Sequence, residues 1–525
     1  MKVLLGERLA PPGLSLLYQQ EGWQIVESNP KEFMAHLADA DALIIRSAIR
    51  ITRELLAAAP NLRVIGRAGV GVDHIDIQAA TDSGVVVMQT SGGNAVSVAE
   101  HTLALILSLA RSIPQASEST KSGKWERKKF VGAEVRGKTI GIIGLGSIGR
   151  EVAKRAKAFE MRVIATDPFV HRQTAEDAGV ELVPLDTLYA ESDYITLHMA
   201  LTTESSRMLS REAFTKMKRG VRIINCARGE LIDQEALTEA LEMGLVAGAA
   251  FDVFTQEPPP AGTALLHLPQ VIATPHIGGS TEEAQDIVSR RIAQQVIEYL
   301  ESGTAVHALN MPALTLDQQK AIGPYITLAE RLGTLAAQLA VGNPKVVRVI
   351  YSGNVAGQSG YLIRNSGVAG VVRRSMTVRA NAVNAMQVAA DRGLSVAERH
   401  DQRSIHRDSI QLELETDRGV TVVEGAVVFD QPRLIQVDGV HCEAPLSGHV
   451  TLLKCDDVPG VIGSIGNVLG KNGVNIATFS LGRRDAGHEA VALVETDHAL
   501  PEAVLSELRG HPAINLACPV EFDAA

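Results

Sequence analysis

Three residues of this chain combine into hydride chemistry: Arg228 in the run NCARGE, Glu257 ahead of Pro258, and His276 in the run TPHIGGST. Oxidation of a 2-hydroxyacid needs a cation to hold the carboxylate and a base to take the hydroxyl proton as hydride leaves the neighbouring carbon. Arg228 can grip a carboxylate through two N–H groups and so fix the reacting carbon. His276, of a type whose ordinary pKa is ~6.5, is the natural base, and a nearby Glu257 would favour its imidazolium and orient the ring. Pro258 holds Glu257 away from helical conformation. Singly, each has an ordinary role as a surface ion pair, a loop carboxylate or a strand-end polar residue. Their common placement after successive apolar runs selects the catalytic reading.

The hydride acceptor has its own signature. The apolar run 139–143 is followed at once by Gly144-Leu145-Gly146-Ser147-Ile148-Gly149 and then by a helix opening near Arg150. In this context the first glycine permits a tight turn, the second lets backbone amides approach a pyrophosphate, and the third lets helix and strand pack closely. The helix N-terminus favours the pyrophosphate charge. Asp167 stands 18 residues beyond the last glycine, at the end of the run 162–166, where it can accept hydrogen bonds from the adenosine ribose hydroxyls. A carboxylate there repels a 2′-phosphate, so the expected cofactor is NAD and not NADP.

These residues need elements that bring them together. Between residue 1 and about 92, apolar runs at 3–5, 42–45, 64–65 and 85–88 alternate with helical stretches, and a second set follows a helix at 95–111, at 139–143, 162–166, 194–197, 222–225, 247–251 and 271–273. Such alternation predicts two α/β domains of Rossmann-like, doubly wound parallel sheets. All carboxyl ends of a parallel sheet lie on one edge, so His198-Met199, Cys226 to Arg228, Asp252, Glu257 and His276 converge whatever their separation in sequence. The first domain's strand ends carry Arg46, Arg67 and Asn94. The arginines suit a phosphate and Asn94 a carboxylate, against the simpler readings of salt bridges and a turn.

The expected division is 1–94 with 281–310 for substrate, 95–280 for NAD, a β-rich α+β domain at 311–446 and a last domain at 447–525. Residues 281–300 read as one long helix. In the third domain, runs at 346–351 and 420–440 predict strands, with Gly425 and Asp430-Gln431-Pro432 marking hairpins. From 448 the order strand, helix, strand, strand, helix, strand is the ferredoxin-like plan.

The bulk numbers agree. A chain of 525 residues accommodates three or four domains. A net charge of −10 argues against nucleic acid as the main partner. The run 121–129 carries five basic residues around Trp125, either a solvated helix end or a patch that attracts an anionic substrate. Cysteines at 226, 442, 455 and 518 form no CxxC pair, so neither a metal site nor a disulfide framework is expected. Gly6-Glu7-Arg8 interrupts the first apolar run, and the most apolar helix, near 102–110, is shorter than the ~20 residues that span a bilayer. A cytoplasmic protein is expected, with no membrane partner.

The elements GLGSIG, NCARGE, the segment 254–260 and TPHIGGST resemble the signature set of the D-isomer-specific 2-hydroxyacid dehydrogenases, over roughly residues 1–310. That resemblance implies that Arg228, Glu257 and His276 are catalytic. It also implies that Val70, Ser147, Ile148, Met199, Cys226, Ala227, Arg228, Asp252, His276, Ile277, Gly278 and Gly279 surround the cofactor. RSAIRIT, GRAGVGVDHID and GKWERKKF further resemble the long-form D-3-phosphoglycerate dehydrogenases, in which an intervening domain precedes an ACT domain.

That closer resemblance implies oxidation of 3-phospho-D-glycerate to 3-phosphohydroxypyruvate, the first committed step toward L-serine, with a possible side activity on 2-hydroxyglutarate and a homotetrameric assembly. It further implies feedback by L-serine bound between two subunits at Asp457 and Asn475. Cys455 departs from the His or Tyr of serine-sensitive relatives, which puts the feedback in doubt. The alternatives are another D-2-hydroxyacid dehydrogenase, such as a glyoxylate or hydroxypyruvate reductase, and a dehydrogenase-like regulatory protein that senses NADH.

Overall fold

The computed structural model describes residues 1–312, 314, 316–357, 360–373, 380–401, 408–484 and 489–522. Its first sheet has five parallel strands in the order Gln24–Glu27, Lys2–Leu5, Ala42–Ile45, Val64–Arg67, Val86–Gln89. The strand Gln24–Glu27 escapes a reading by apolar runs because it is a short edge strand with only Ile25 and Val26 between two polar ends. Strand order reverses between Lys2–Leu5 and Ala42–Ile45, and such a switch point opens a crevice at the strands' carboxyl ends.

The second sheet has seven parallel strands, in the order Val271–Ala273, Val246–Phe251, Val221–Asn225, Tyr194–Leu197, Thr139–Ile143, Arg162–Thr166, Glu181–Leu182. Its switch point lies between Thr139–Ile143 and Tyr194–Leu197. These central strands are apolar along their length because helices cover both faces. Two helices cross between the sheets. Ala95–Arg111 leaves the first and packs against Ser147–Ala158. Glu282–Ser302, capped by Thr281, returns and packs on Pro11–Tyr18 and Val64–Arg67. The return crossing is close: a Cβ on Gly13 would stand 2.2 Å from the Ser289 carbonyl oxygen.

The third sheet runs Ser395–Asp401, Pro344–Ser352, Ser409–Thr416, Val420–Val428, Gln431–Val437, Val440–Pro445, antiparallel except for its first pair. Gly425 marks no hairpin. It lies inside Val420–Val428 at a register shift, where a Cβ would meet the Arg433 carbonyl oxygen at 2.7 Å. The turn falls at Phe429 and Asp430, both at positive φ, and Gln431-Pro432 already belongs to the next strand. Helices Leu316–Leu339 and Gly360–Arg373 cover this sheet, packed so closely that Cβ atoms on Gly333 and Gly370 would each lie 2.1 Å from a facing carbonyl oxygen.

The last sheet is antiparallel, in the order Ile476–Arg483, Glu489–Thr496, His449–Asp456, Ile514–Glu521, with helices Val461–Lys471 and Glu502–Arg509. This is the βαββαβ plan. One hydrophobic cluster joins it to the third sheet, containing Leu434 and Val440 together with Leu452, Leu493 and Phe522. Among the described residues no single helix is long and apolar enough to cross a membrane.

Candidate active site

The glycines after Thr139–Ile143 divide their work as their spacing predicts. Gly144 has φ +95°, and a Cβ there would lie 2.6 Å from the carbonyl oxygen of His198, across the switch point. Gly149 packs on the turn itself, its Cβ position 2.2 Å from the Gly144 carbonyl oxygen. Gly146 is different: a Cβ would meet nothing within 4 Å, so the space before the helix Ser147–Ala158 is open. Asp167 ties this loop together. Its Oδ2 accepts the Leu145 amide at 2.8 Å and its Oδ1 those of Phe169 and Val170 at 2.8 and 3.2 Å. Three amides leave lone-pair capacity for a ribose hydroxyl. An open cradle, a free helix N-terminus and an acid at its rim fit a dinucleotide.

The catalytic candidates line one cleft of about 640 Å³ between the first two sheets, together with Arg46, Arg67, Val70 and Asn94. His276 sits at positive φ in the loop after Val271–Ala273, and its Nδ1 is 2.6 Å from Glu257 Oε2. The other Glu257 oxygen accepts the Phe254 amide at 3.0 Å, which pins the carboxylate. The Glu257-Pro258 peptide is cis.

Asp252 holds the histidine loop from beneath. It is buried, and it accepts the amides of Ile277 and Gly278 at 2.9 and 2.7 Å and the Thr274 hydroxyl at 2.6 Å. Burial raises its pKa, but the hydrogen bonds of His101, Thr274, Ile277 and Gly278 outweigh this and hold it below the usual carboxylate range. The Asp252 side chain thus shapes the wall on which Ile277, Gly278 and Gly279 stand. Cys226 and Ala227 form the neighbouring turn. Burial pushes the Cys226 thiol up to about 12, so its backbone and not its sulfur is available for chemistry. Met199 is half-buried beyond His198.

Arg228 follows Val221–Asn225 on a turn that Asn225 builds: its Nδ2 donates to the Arg228 carbonyl at 2.8 Å and its Oδ1 accepts the Ala227 amide at 3.0 Å. At the other end of the cleft Arg46 stands on a loop organised by Glu7, whose Oε1 accepts the amides of Arg46, Ala48 and Ile49. Arg67 lies deeper. Burial, with the nearby charges of Arg228 and Arg46, pushes its pKa down to about 10, and its Nε is buried without a partner among the described residues. Glu7 and Asp73 act in the opposite direction, and a guanidinium in this setting suits an anion. Asn94 begins the helix Ala95–Arg111 with its Oδ1 buried and unpaired among the described residues.

Arg8, Arg50 and His74 also line the cleft, and the sequence reading passed over them with Glu7, Asn225 and Asp252's supporting role. Arg8 was findable, because it follows the first strand at the switch point. The basic run 121–129 follows the helix Ile113–Lys121 and does not line the cleft, while Trp125 is largely exposed.

The two effector candidates are not brought together within one chain. Asp457 pairs with Arg483 at 3.3 Å and Asn475 donates to Asp497 at 2.9 Å. These contacts lie at opposite ends of the strand Ile476–Arg483, about 25 Å apart for eight residues at ~3.3 Å each.

Known proteins resemble the chain in three successive stretches. Residues 103–278 match the NAD binding domain of the D-isomer specific 2-hydroxyacid dehydrogenases, residues 321–438 the D-3-phosphoglycerate dehydrogenase intervening domain, and residues 449–513 the ACT domain. The D-3-phosphoglycerate dehydrogenase of Methanocaldococcus jannaschii is 39% identical over 98% of both chains. That of Bacillus subtilis is likewise 39% identical, again over 98% of each. Among solved structures, D-lactate dehydrogenase of Aquifex aeolicus with NAD and lactic acid superposes on 57% of this chain and 96% of its own, at 28% identity and a TM-score of 0.52. The chain belongs to the D-3-phosphoglycerate dehydrogenases, a family of NAD-dependent D-isomer specific 2-hydroxyacid dehydrogenases.

Proposed function

We infer that the chain catalyses the NAD-dependent oxidation of 3-phospho-D-glycerate to 3-phosphohydroxypyruvate, the first committed step of L-serine biosynthesis. The observation that carries the assignment of roles is the His276–Glu257 pair, at 2.6 Å, facing the same cleft as Arg228, Arg46 and Arg67. A carboxylate only accepts, so the proton between the two belongs to His276 Nδ1, and Nε2 is left with a lone pair for the substrate hydroxyl.

In this reading Arg228 holds the substrate carboxylate, with Asn94 beside it, and Arg46 and Arg67 hold the phosphate. His276 takes the hydroxyl proton while the C2 hydrogen departs as hydride and the C2–O bond becomes a carbonyl. NAD held in the glycine cradle would supply the hydride acceptor. Gly144, Gly146, Ser147, Ile148 and Gly149 would cradle its pyrophosphate, and Asp167 its ribose. Val70, Met199, Cys226, Ala227, Asp252, Ile277, Gly278 and Gly279 would enclose its nicotinamide half.

We extend the reading to L-serine as effector, held by Asp457 of one subunit and Asn475 of another in a homotetramer. Their separation within a single chain supports a site shared by two chains. Exposed Val458, Ile462 and Leu481 on the same domain support its burial in an assembly. All four cysteines are free, which supports a reducing compartment, the cytoplasm.

The test is NADH formation at alkaline pH from 3-phospho-D-glycerate, D-lactate, D-glycerate and D-2-hydroxyglutarate, each with and without L-serine. Preference for the phosphorylated acid supports the assignment. A nonphosphorylated acid ahead by ~10-fold or more, the equivalent of one good charged hydrogen bond, removes Arg46 and Arg67 from the phosphate role.

A further inference from the structure

Arg228 does not stand alone in the cleft. Its Nε donates to Asp73 Oδ2 at 2.6 Å, and its Nη1 donates to the Ala227 carbonyl at 2.6 Å. Asp73 belongs to the loop after Val64–Arg67 of the first sheet, and Arg228 to the loop after Val221–Asn225 of the second, so the ion pair crosses the cleft. Gly71 of the same loop has φ +92°, and a Cβ there would lie 1.7 Å from Arg228 Nη2. The guanidinium is therefore held along its Nε edge by Asp73 and passes over bare backbone at Gly71.

An arginine can grip a carboxylate end-on through its two Nη groups or side-on through Nε and one Nη. Asp73 occupies the Nε edge and the Ala227 carbonyl takes one N–H of Nη1, which leaves the second N–H of Nη1 and the N–H groups of Nη2 to the substrate. We propose that Asp73 is a positioning residue for the reaction: it fixes the plane of Arg228 and does so only when the two domains are apposed. Orientation of the carboxylate clamp and closure of the cleft are then one event, so the clamp is complete only in the closed, water-poor geometry in which hydride transfer proceeds. Asp73 also supplies negative charge beside Arg67 and Arg228, and so lets two guanidinium groups face one cleft before an anion arrives.

This rests on Arg228 being the carboxylate clamp, and the experiment separates the two claims. Asp73→Ala, Asp73→Asn and Arg228→Lys are compared as full-length proteins by steady-state kinetics and by NADH fluorescence titration. For Asp73→Ala, KM for 3-phospho-D-glycerate rises ~10-fold or more, as for loss of a charged hydrogen bond. Affinity for NADH stays within about twofold, and Asp73→Asn, which keeps an acceptor for Nε, recovers most of the loss. The proposal is overturned if Asp73→Ala changes KM by less than about twofold, if KM falls, if NADH affinity drops in parallel, or if Asp73→Asn recovers nothing. If Arg228→Lys also leaves KM unchanged, it is the clamp reading that fails. If Arg228→Lys raises KM while Asp73→Ala does not, only the role of Asp73 is lost.

Discussion

Glu257 divides its two carboxylate oxygens between the Phe254 amide at 3.0 Å and His276 Nδ1 at 2.6 Å. The first contact fixes where the carboxylate is; the second fixes the tautomer and plane of the imidazole. With His276 as the proposed base, His276→Ala should lower turnover by ~10²–10⁴, the usual contribution of general base catalysis. Glu257→Gln keeps the size and can keep the Phe254 contact, but it no longer compensates an imidazolium. Its turnover should fall by ~10-fold or more, with KM for NAD unchanged. Stopped-flow and steady-state NADH measurements check both. A His276→Ala loss under about threefold would remove that residue from the role of base.

Arg46 and Arg67 make a graded prediction, because one stands on a loop pinned by Glu7 and the other is crowded deep in the cleft. Arg46→Ala should raise KM for 3-phospho-D-glycerate by ~10–100-fold, the range of a charged hydrogen bond to phosphate. D-Lactate, which lacks the phosphate, should lose little of whatever rate it has. The ratio of the two substrates' kcat/KM is the readout, and an unchanged ratio refutes the phosphate assignment.

Much of this site was legible because parallel sheets convert sequence position into geometry. Arg228, Glu257 and His276 could be joined from the strands that precede them, without knowing any contact. Asp73 could not, since its partner lies 155 residues away across a cleft that no periodicity describes. Glu7 and Asn225 were equally hidden, because they act on backbone amides and carbonyls, which carry no sequence signal. The helices Leu316–Leu339 and Gly360–Arg373 went unread for a related reason. Gly333, Gly367 and Gly370 look like helix breakers, yet at 2.1 Å from a facing carbonyl oxygen the Cβ positions of Gly333 and Gly370 show that small residues are what lets these helices touch. Gly425 misled in the same way.

The glycine loop allows folding and cofactor approach to be separated. Gly149→Ala would drive a Cβ into the Gly144 carbonyl oxygen at 2.2 Å, so it should lower thermal stability by several degrees as well as weaken NAD binding. Gly146→Ala meets nothing within 4 Å in the protein. Its melting temperature without cofactor should match that of the parent, while KM for NAD rises ~10-fold or more because the methyl occupies space meant for the pyrophosphate. Calorimetry with and without NAD distinguishes the two. A Gly146→Ala protein with normal NAD affinity would place the pyrophosphate elsewhere.

His198 supplies a prediction about acid stability. Burial pushes its pKa down to about 3; Nε2 lies 2.9 Å from the Thr196 hydroxyl, and Nδ1 is buried with no partner among the described residues. The unfolded chain would bind a proton at this histidine near its ordinary ~6.5, while the folded chain resists it down to about pH 3. The sign follows: between those limits the unfolded state holds more protons, so stability is complete above ~6.5 and falls as pH drops, by at most ~1.4 kcal/mol per unit from this group. In His198→Gln that contribution is absent. The variant should be less stable than the parent at pH 7.5, through loss of the ring's contact with the Thr196 hydroxyl, and the gap should narrow steadily from pH 6.5 to 4.5. Paired thermal melts across that range decide the matter; parallel curves would mean that His198 is not held neutral in the fold.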